Sequence, residues 1–168
     1  MENAEQKSAG LGAILLTTCA VAGTFLLYAS EYAKHDSALQ NTVNELLQQA
    51  DIVSSRSTAF LYIMYAVLAL VLFIIGFIIY KIICKICSCK IPDGKLLLSV
   101  GIGYAASFLA GSFLLSVLPF PAVLLIGNAL EAVLVICLCF EHLKAKAIPF
   151  ALLRAVLAGL NLIAFKLM

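Results

Sequence analysis

From Thr58 to Tyr80 the chain reads TAFLYIMYAVLALVLFIIGFIIY, more than twenty positions without one charged side chain. As a helix rising about 1.5 Å per residue, this run covers the roughly 30 Å of hydrocarbon in a bilayer. Lipid offers no partner to backbone N–H and C=O groups, so a spanning segment of this kind must satisfy them internally, as a helix does. Comparable apolar runs cover 9–29, 96–118, 122–140 and 148–168. The expected fold is therefore an all-α polytopic membrane bundle. It has four transmembrane helices plus a fifth, C-terminal helix that is expected to span as well.

Composition agrees. Hydrophobic residues make up 64% of the 168 positions and charged residues 12%. A soluble domain is nearer half apolar and a quarter charged. The length leaves room for one bundle and no separate soluble domain. A net charge of +2 is too small to suggest nucleic-acid binding. The first apolar run starts behind Glu2 and Glu5 and is near twenty residues long. A signal peptide has a basic start and a shorter apolar core, so a retained membrane helix is expected.

The chain then divides as follows: an N-terminal segment 1–8, a first span 9–29, a polar connection 30–57 and a second span 58–80. A basic, cysteine-rich turn 81–95 with a Pro-Asp-Gly breaker precedes the third span, 96–118. Pro119-Phe120-Pro121 reverses the chain into the fourth span, 122–140, because proline ends one helix and readily starts the next. A charged turn 141–147 leads to the last run, 148–168, which carries Arg154 and Asn161 on an otherwise apolar cylinder. An interfacial helix would show a broad charged face, so length favours a span. The turns after the second and fourth spans hold Lys81, Lys85, Lys90, Lys95, Lys144 and Lys146, against Lys34 and Arg56 in the first connection. The positive-inside rule puts the lysine-rich turns and the N-terminus in the cytoplasm and 30–57 outside. Lysines near a span also attract anionic lipid, although setting topology is their commoner role.

The spans carry one polar constellation. Asn128 and Glu131 are three apart and share a helix face; Arg154 and Asn161 are seven apart and do the same. Counted from the turn between them, Glu131 lies about 13 Å deep and Arg154 about 9 Å, a gap that a long guanidinium stem bridges. By the same count Asn128 lies about 18 Å deep and Asn161 about 20 Å. An antiparallel hairpin thus matches Glu131 with Arg154 and Asn128 with Asn161. An isolated charge in mid-bilayer costs roughly 2.5 kcal/mol or more, so such groups find partners. One reading is an ion pair that fixes helix register; the other is a proton or solute relay. Glu131 is the only acid inside a span, so register carries more weight.

Ser99, Gly103, Ser107 and Gly111 form a stripe of small residues at a spacing of four, which lets a second helix backbone approach closely. It serves either packing inside the bundle or contact with another protein. Ala151, Ala155 and Gly159 repeat the pattern weakly. Cys84, Cys87 and Cys89 follow the second span among lysines, a setting common for S-palmitoylation. Cys137 and Cys139 end the fourth span near His142. A reducing cytoplasm argues against disulfides, and the spacing is poor for zinc. Cys19 reads as a packing residue. In the outer connection Leu39, Val43, Leu46, Ala50 and Val53 follow heptad spacing over two repeats, too few for an independent coiled coil. They suggest an amphipathic helix over the bundle mouth or a docking helix, 38–53.

The sequence holds no Walker loop, no G-x-G-x-x-G, no H-E-x-x-H and no glycosylation sequon. Neither His35 nor His142 lies deep in a span. No catalytic residues, metal ligands or cofactor emerge, which points away from an enzyme. Tryptophan is absent, leaving Tyr28, Tyr32, Tyr62, Tyr80 and Tyr104 to anchor the helices at the interfaces. The leading functional expectation is a multi-pass protein that organises membrane partners or itself through the small-residue stripe and the outer helix. The alternative is a small channel or transporter with a polar path through Glu131, Arg154, Asn128 and Asn161.

Overall fold

A computed structural model describes residues 2–35 and 54–167, with residues 41 and 45 besides. Among the described residues five helices follow one another: α1 (Glu2–His35), α2 (Ser54–Ile86), α3 (Asp93–Leu114), α4 (Phe120–Leu143) and α5 (Ala147–Leu167). One turn of 3-10 helix, Lys144–Lys146, joins α4 to α5. There is no strand among the described residues. Four stretches are long and apolar enough to cross a membrane: Gly12–Lys34, Ala59–Ile86, Asp93–Leu114 and Phe120–Gly159. The last runs from α4 through the 3-10 turn into α5, and its 40 residues are about twice what one crossing needs. The chain is an all-helical integral membrane protein of four such helices plus a long C-terminal helix. Of the connection 30–57, residues 30–35 extend α1 and 54–57 begin α2, while the heptad-spaced Leu39, Val43, Leu46, Ala50 and Val53 lie outside the described residues.

Buried positions recur every fourth residue. In α4 they are Val123, Gly127, Glu131, Val135, Cys139 and Leu143. In α1 they are Val21, Phe25 and Ala29. In α3 they include Ser99, Gly103 and Gly111. Such rows bring one helical ridge against the next. α3 sits at the centre, packed against α1 on one side and α4 on the other, with α2 against α1 and α3. α5 folds back along α4 and also touches α2. Much of the surface of α2, including Ile63, Val67, Ile74 and Ile78, remains exposed, as a lipid-facing helix requires.

The helices outrun the apolar segments that announce them. α2 continues six residues beyond Tyr80, so Lys81, Cys84 and Lys85 stand on helix rather than in a turn. Lysine stems run along an apolar surface while their ammonium groups reach polar surroundings, so charge interrupts the hydropathy without breaking the helix. Lys81 pairs with Asp93 at 2.8 Å across the true turn. That turn is closed by a Schellman motif. The Cys89 N–H donates to the Cys84 carbonyl at 2.8 Å, and the Ser88 N–H to the Lys85 carbonyl at 3.1 Å. Ser88 takes the left-handed position, with φ 52°, that glycine usually fills.

Candidate functional site

Glu131 is the twelfth residue of the 24-residue α4 and therefore sits at its middle. Its backbone and Cγ lie on Gly103 of α3. A Cβ at position 103 would stand 3.2 Å from both Glu131 Cγ and the Glu131 carbonyl oxygen. The missing side chain thus makes room for the acid. Pressed against α3, the carboxylate turns toward α5.

There Arg154 meets it. Arg154 Nη2 donates to Glu131 Oε2 at 2.6 Å and to Asn128 Oδ1 at 3.0 Å. Arg154 Nε donates to the Tyr80 hydroxyl at 3.0 Å, and the guanidinium lies 5.4 Å from the Tyr80 ring centroid. Glu131 is 4% exposed, Arg154 6% and Tyr80 0%. Tyr80 in turn stacks on Phe150, with ring centroids 5.8 Å apart. Three helices, α2, α4 and α5, therefore converge on one guanidinium. The short charge-assisted bond has the length expected of a strong pair.

The network is not closed. Glu131 Oε1 is the one buried side-chain nitrogen or oxygen among the described residues that has no hydrogen-bond partner. Glu131 and Arg154 both line a cavity of about 270 Å³ to which all five described helices contribute. Tyr28, Tyr104, Phe108 and Ser107 form one wall, and Leu124 and Leu157 another. The ring of Tyr104 occupies the space in which a side chain at Gly76 would stand. Toward the cysteine-rich end the core is tight: Ile83, Leu96, Val135, Cys139, Leu143 and Phe150 are all 1% exposed or less. No group of acids, cysteines and histidines able to hold a metal occurs among the described residues.

The other residues singled out in the sequence take definite places. Asn128 does not wait for Asn161: its Oδ1 accepts from Arg154 and its Nδ2 donates to the Leu124 carbonyl at 2.8 Å. The Asn161 side chain lies outside the described residues. The small-residue stripe faces inward. Gly103 receives Glu131, Ser107 sits against Gly127, and Gly111 against Tyr28. Of the two uses the sequence leaves open, these contacts are those of packing within the chain. Of the three cysteines singled out for acylation, Cys84 is buried in the core that ends α2. Cys87 and Cys89 are half-buried beside it. The Cys139 thiol donates to Ser99 Oγ at 3.3 Å, while Cys19 and Cys137 are exposed. Tyr80 and Tyr104 are not interface anchors but members of the bundle core or its cavity wall.

Fold and site together define a helical membrane protein with a cavity beside a buried ion pair at the middle of α4. No protein-family model, curated protein or solved structure matches the chain.

Proposed function

We propose that this chain is a non-enzymatic, multi-pass membrane protein of the carrier type, which receives a small solute beside Glu131 and Arg154 in the middle of the membrane. The single observation that carries the reading is a cavity of about 270 Å³ lined by both members of the Glu131–Arg154 pair. A buried polar atom left without a partner costs about 1–3 kcal/mol, and more when charged. An ion pair kept only for helix register would be better served by a closed network in a filled core. The packed end formed by Val135, Cys139, Leu143 and Phe150 favours a carrier over an open pore.

In this reading the lysine-bearing turns and the N-terminus face the cytoplasm, α5 crosses as a fifth span, and the cavity is reached from the opposite side. Organisation of membrane partners stands as the second reading. It would draw on the outer connection 38–53 together with Cys87 and Cys89.

Uptake by proteoliposomes tests the choice, using a radiolabelled panel of small neutral and charged solutes with wild type and Glu131→Gln. The carrier reading expects saturable uptake of at least one solute, reduced about tenfold or more in the variant, the size of one lost charge-assisted hydrogen bond. No uptake by folded wild type, with partners co-purifying equally with both forms, would favour the second reading.

A further inference from the structure

We infer that the cavity takes a small, uncharged, mainly apolar molecule bearing a carbonyl oxygen, and that Arg154 Nη1 donates to that oxygen. The inference rests on the carrier reading and names its ligand class.

Arg154 supplies the anchor. Its Nε donates to the Tyr80 hydroxyl, and its Nη2 to Asn128 Oδ1 and Glu131 Oε2. Nη1 donates to no group among the described residues. Nor is it sealed in: Glu131 Oε1 is the one enclosed side-chain atom without a partner among those residues. Nη1 therefore keeps accessible surface although Arg154 is 6% exposed, and Arg154 lines the cavity. A guanidinium is all donor and no acceptor, so whatever meets Nη1 must accept. The hydroxyls of Tyr104 and Ser107, on the same wall, also make no hydrogen bond among the described residues. The acceptors, by contrast, are taken. Asn128 Oδ1 and Glu131 Oε2 hold Nη2, and Oε1 is enclosed with the Tyr80 hydroxyl lying against the carboxylate. The free polar capacity of the wall is thus donor-rich.

Charge narrows the class. Glu131 and Arg154 are 2.6 Å apart and neutralise one another. An anion at Nη1 would also face the Glu131 carboxylate and leave the cavity with a net negative charge; a cation would meet the guanidinium. A poorly polarisable interior screens neither repulsion, and an unbalanced charge at mid-membrane is costly. A carbonyl oxygen accepts from Nη1 and brings no net charge. The rest of the ligand follows from the wall. Leu72, Ile79, Val123, Leu124 and Leu157 supply aliphatic surface. Such a lining, with a few placed polar groups, is the usual make-up of a small-molecule pocket. A volume of about 270 Å³ lies just under the ordinary range of roughly 300–1,000 Å³, which suits a small body. The carbonyl belongs to a molecule dissolved in the bilayer or to one that arrives through water. The recognition chemistry is the same.

The test uses the full chain in lipid nanodiscs. A photoactivatable diazirine analogue of 2-octanone is compared with the matching octane analogue, which lacks the carbonyl. Expected is saturable labelling by the ketone on peptides containing Leu72–Tyr80, Tyr104–Gly111 or Val123–Glu131. It is competed by 2-octanone at about tenfold lower concentration than by octane, the worth of one hydrogen bond from a charged donor. Octanoate should compete no better than octane. The infrared band of an isotope-labelled carbonyl in bound 2-octanone should lie at lower frequency than in lipid alone. Arg154→Lys keeps the charge on a single nitrogen and should return the band to its lipid position. Leu124→Trp, which fills the cavity, should abolish the saturable labelling. Mass spectrometry of the protein released from native membrane separates the two sources. A retained neutral carbonyl lipid, lost in Leu124→Trp, identifies a bilayer-borne ligand; labelling without one identifies a ligand from water. Equal competition by octane, an unshifted carbonyl band or a cavity that reports only water would overturn the inference, and stronger competition by octanoate would overturn the uncharged class. Specific ketone labelling without solute uptake would overturn the carrier reading and leave this ligand assignment standing. Uptake without cavity labelling would do the reverse.

Discussion

Consider neutralising each member of the Glu131–Arg154 pair in turn. Glu131→Gln leaves a buried guanidinium with neutral acceptors only: Asn128, Tyr80 and the amide oxygen that the substitution introduces. Arg154→Met leaves a carboxylate with both oxygens unserved. Removing one partner of a buried pair costs about 3–5 kcal/mol, and placing an unpaired charge at a helix centre in lipid costs about 2.5–3.5 kcal/mol. Both routes give about 3 kcal/mol per single variant. The double variant carries no charge at all, so its cost should fall below that of either single variant. The coupling is then at least about 3 kcal/mol. Reversible unfolding in mixed micelles, read by steric trapping, measures all four forms. Neutral hydrogen bonds between membrane helices average about 0.6 kcal/mol and reach about 1.7. A coupling at or below that ceiling would refute the reasoning, because the pair would then be an ordinary polar contact. Lys95→Ala supplies the control. It breaks the exposed pair with Glu141, where a change of no more than about 1 kcal/mol is expected.

Gly103→Leu should destabilise the whole bundle by about 1–3 kcal/mol, because its side chain must displace Glu131 and Val135. Thermal unfolding checks this, and an unchanged melting temperature with loss of a bound partner would mark the stripe as an outer surface instead. Cys89 should alkylate slowly at pH 8 and faster as the pH rises past the usual thiol range. Burial pushes its thiol up, Cys87 adds to the effect, and Lys146 opposes it; the thiolate is the reacting form. Cys84, buried, should stay unlabelled in the folded protein, and mass mapping after maleimide treatment reports both. With native cysteines removed, Ser88→Cys and Ser116→Cys should label from opposite sides of the membrane. Labelling from the same side would remove the topology proposed above.

The hairpin of α4 and α5 was legible in the sequence because it rests on two rare residues. Charge inside lipid is expensive, so one acid and one arginine at matching depth point to each other. Tyr80 was not legible, and the reason is instructive. Lys81 ends the charge-free run, which makes Tyr80 look like the last residue of a span and hence an interface anchor. In the structure α2 runs on to Ile86, which puts Tyr80 six residues, about 9 Å, inside the helix end. That is the depth counted for Arg154. Helix length set by lysine stems, not by hydropathy, was the missing signal. The partner of Asn128 was missed for a related reason. Depth matching pairs like with like, whereas a guanidinium with several donors gathers every acceptor in its reach.

One turn of 3-10 helix is all that separates α4 from α5. During biosynthesis each helix alone would present an uncompensated ion to the lipid. Tethered so closely, α4 and α5 can meet as soon as both are made, so that neither Glu131 nor Arg154 need face lipid alone.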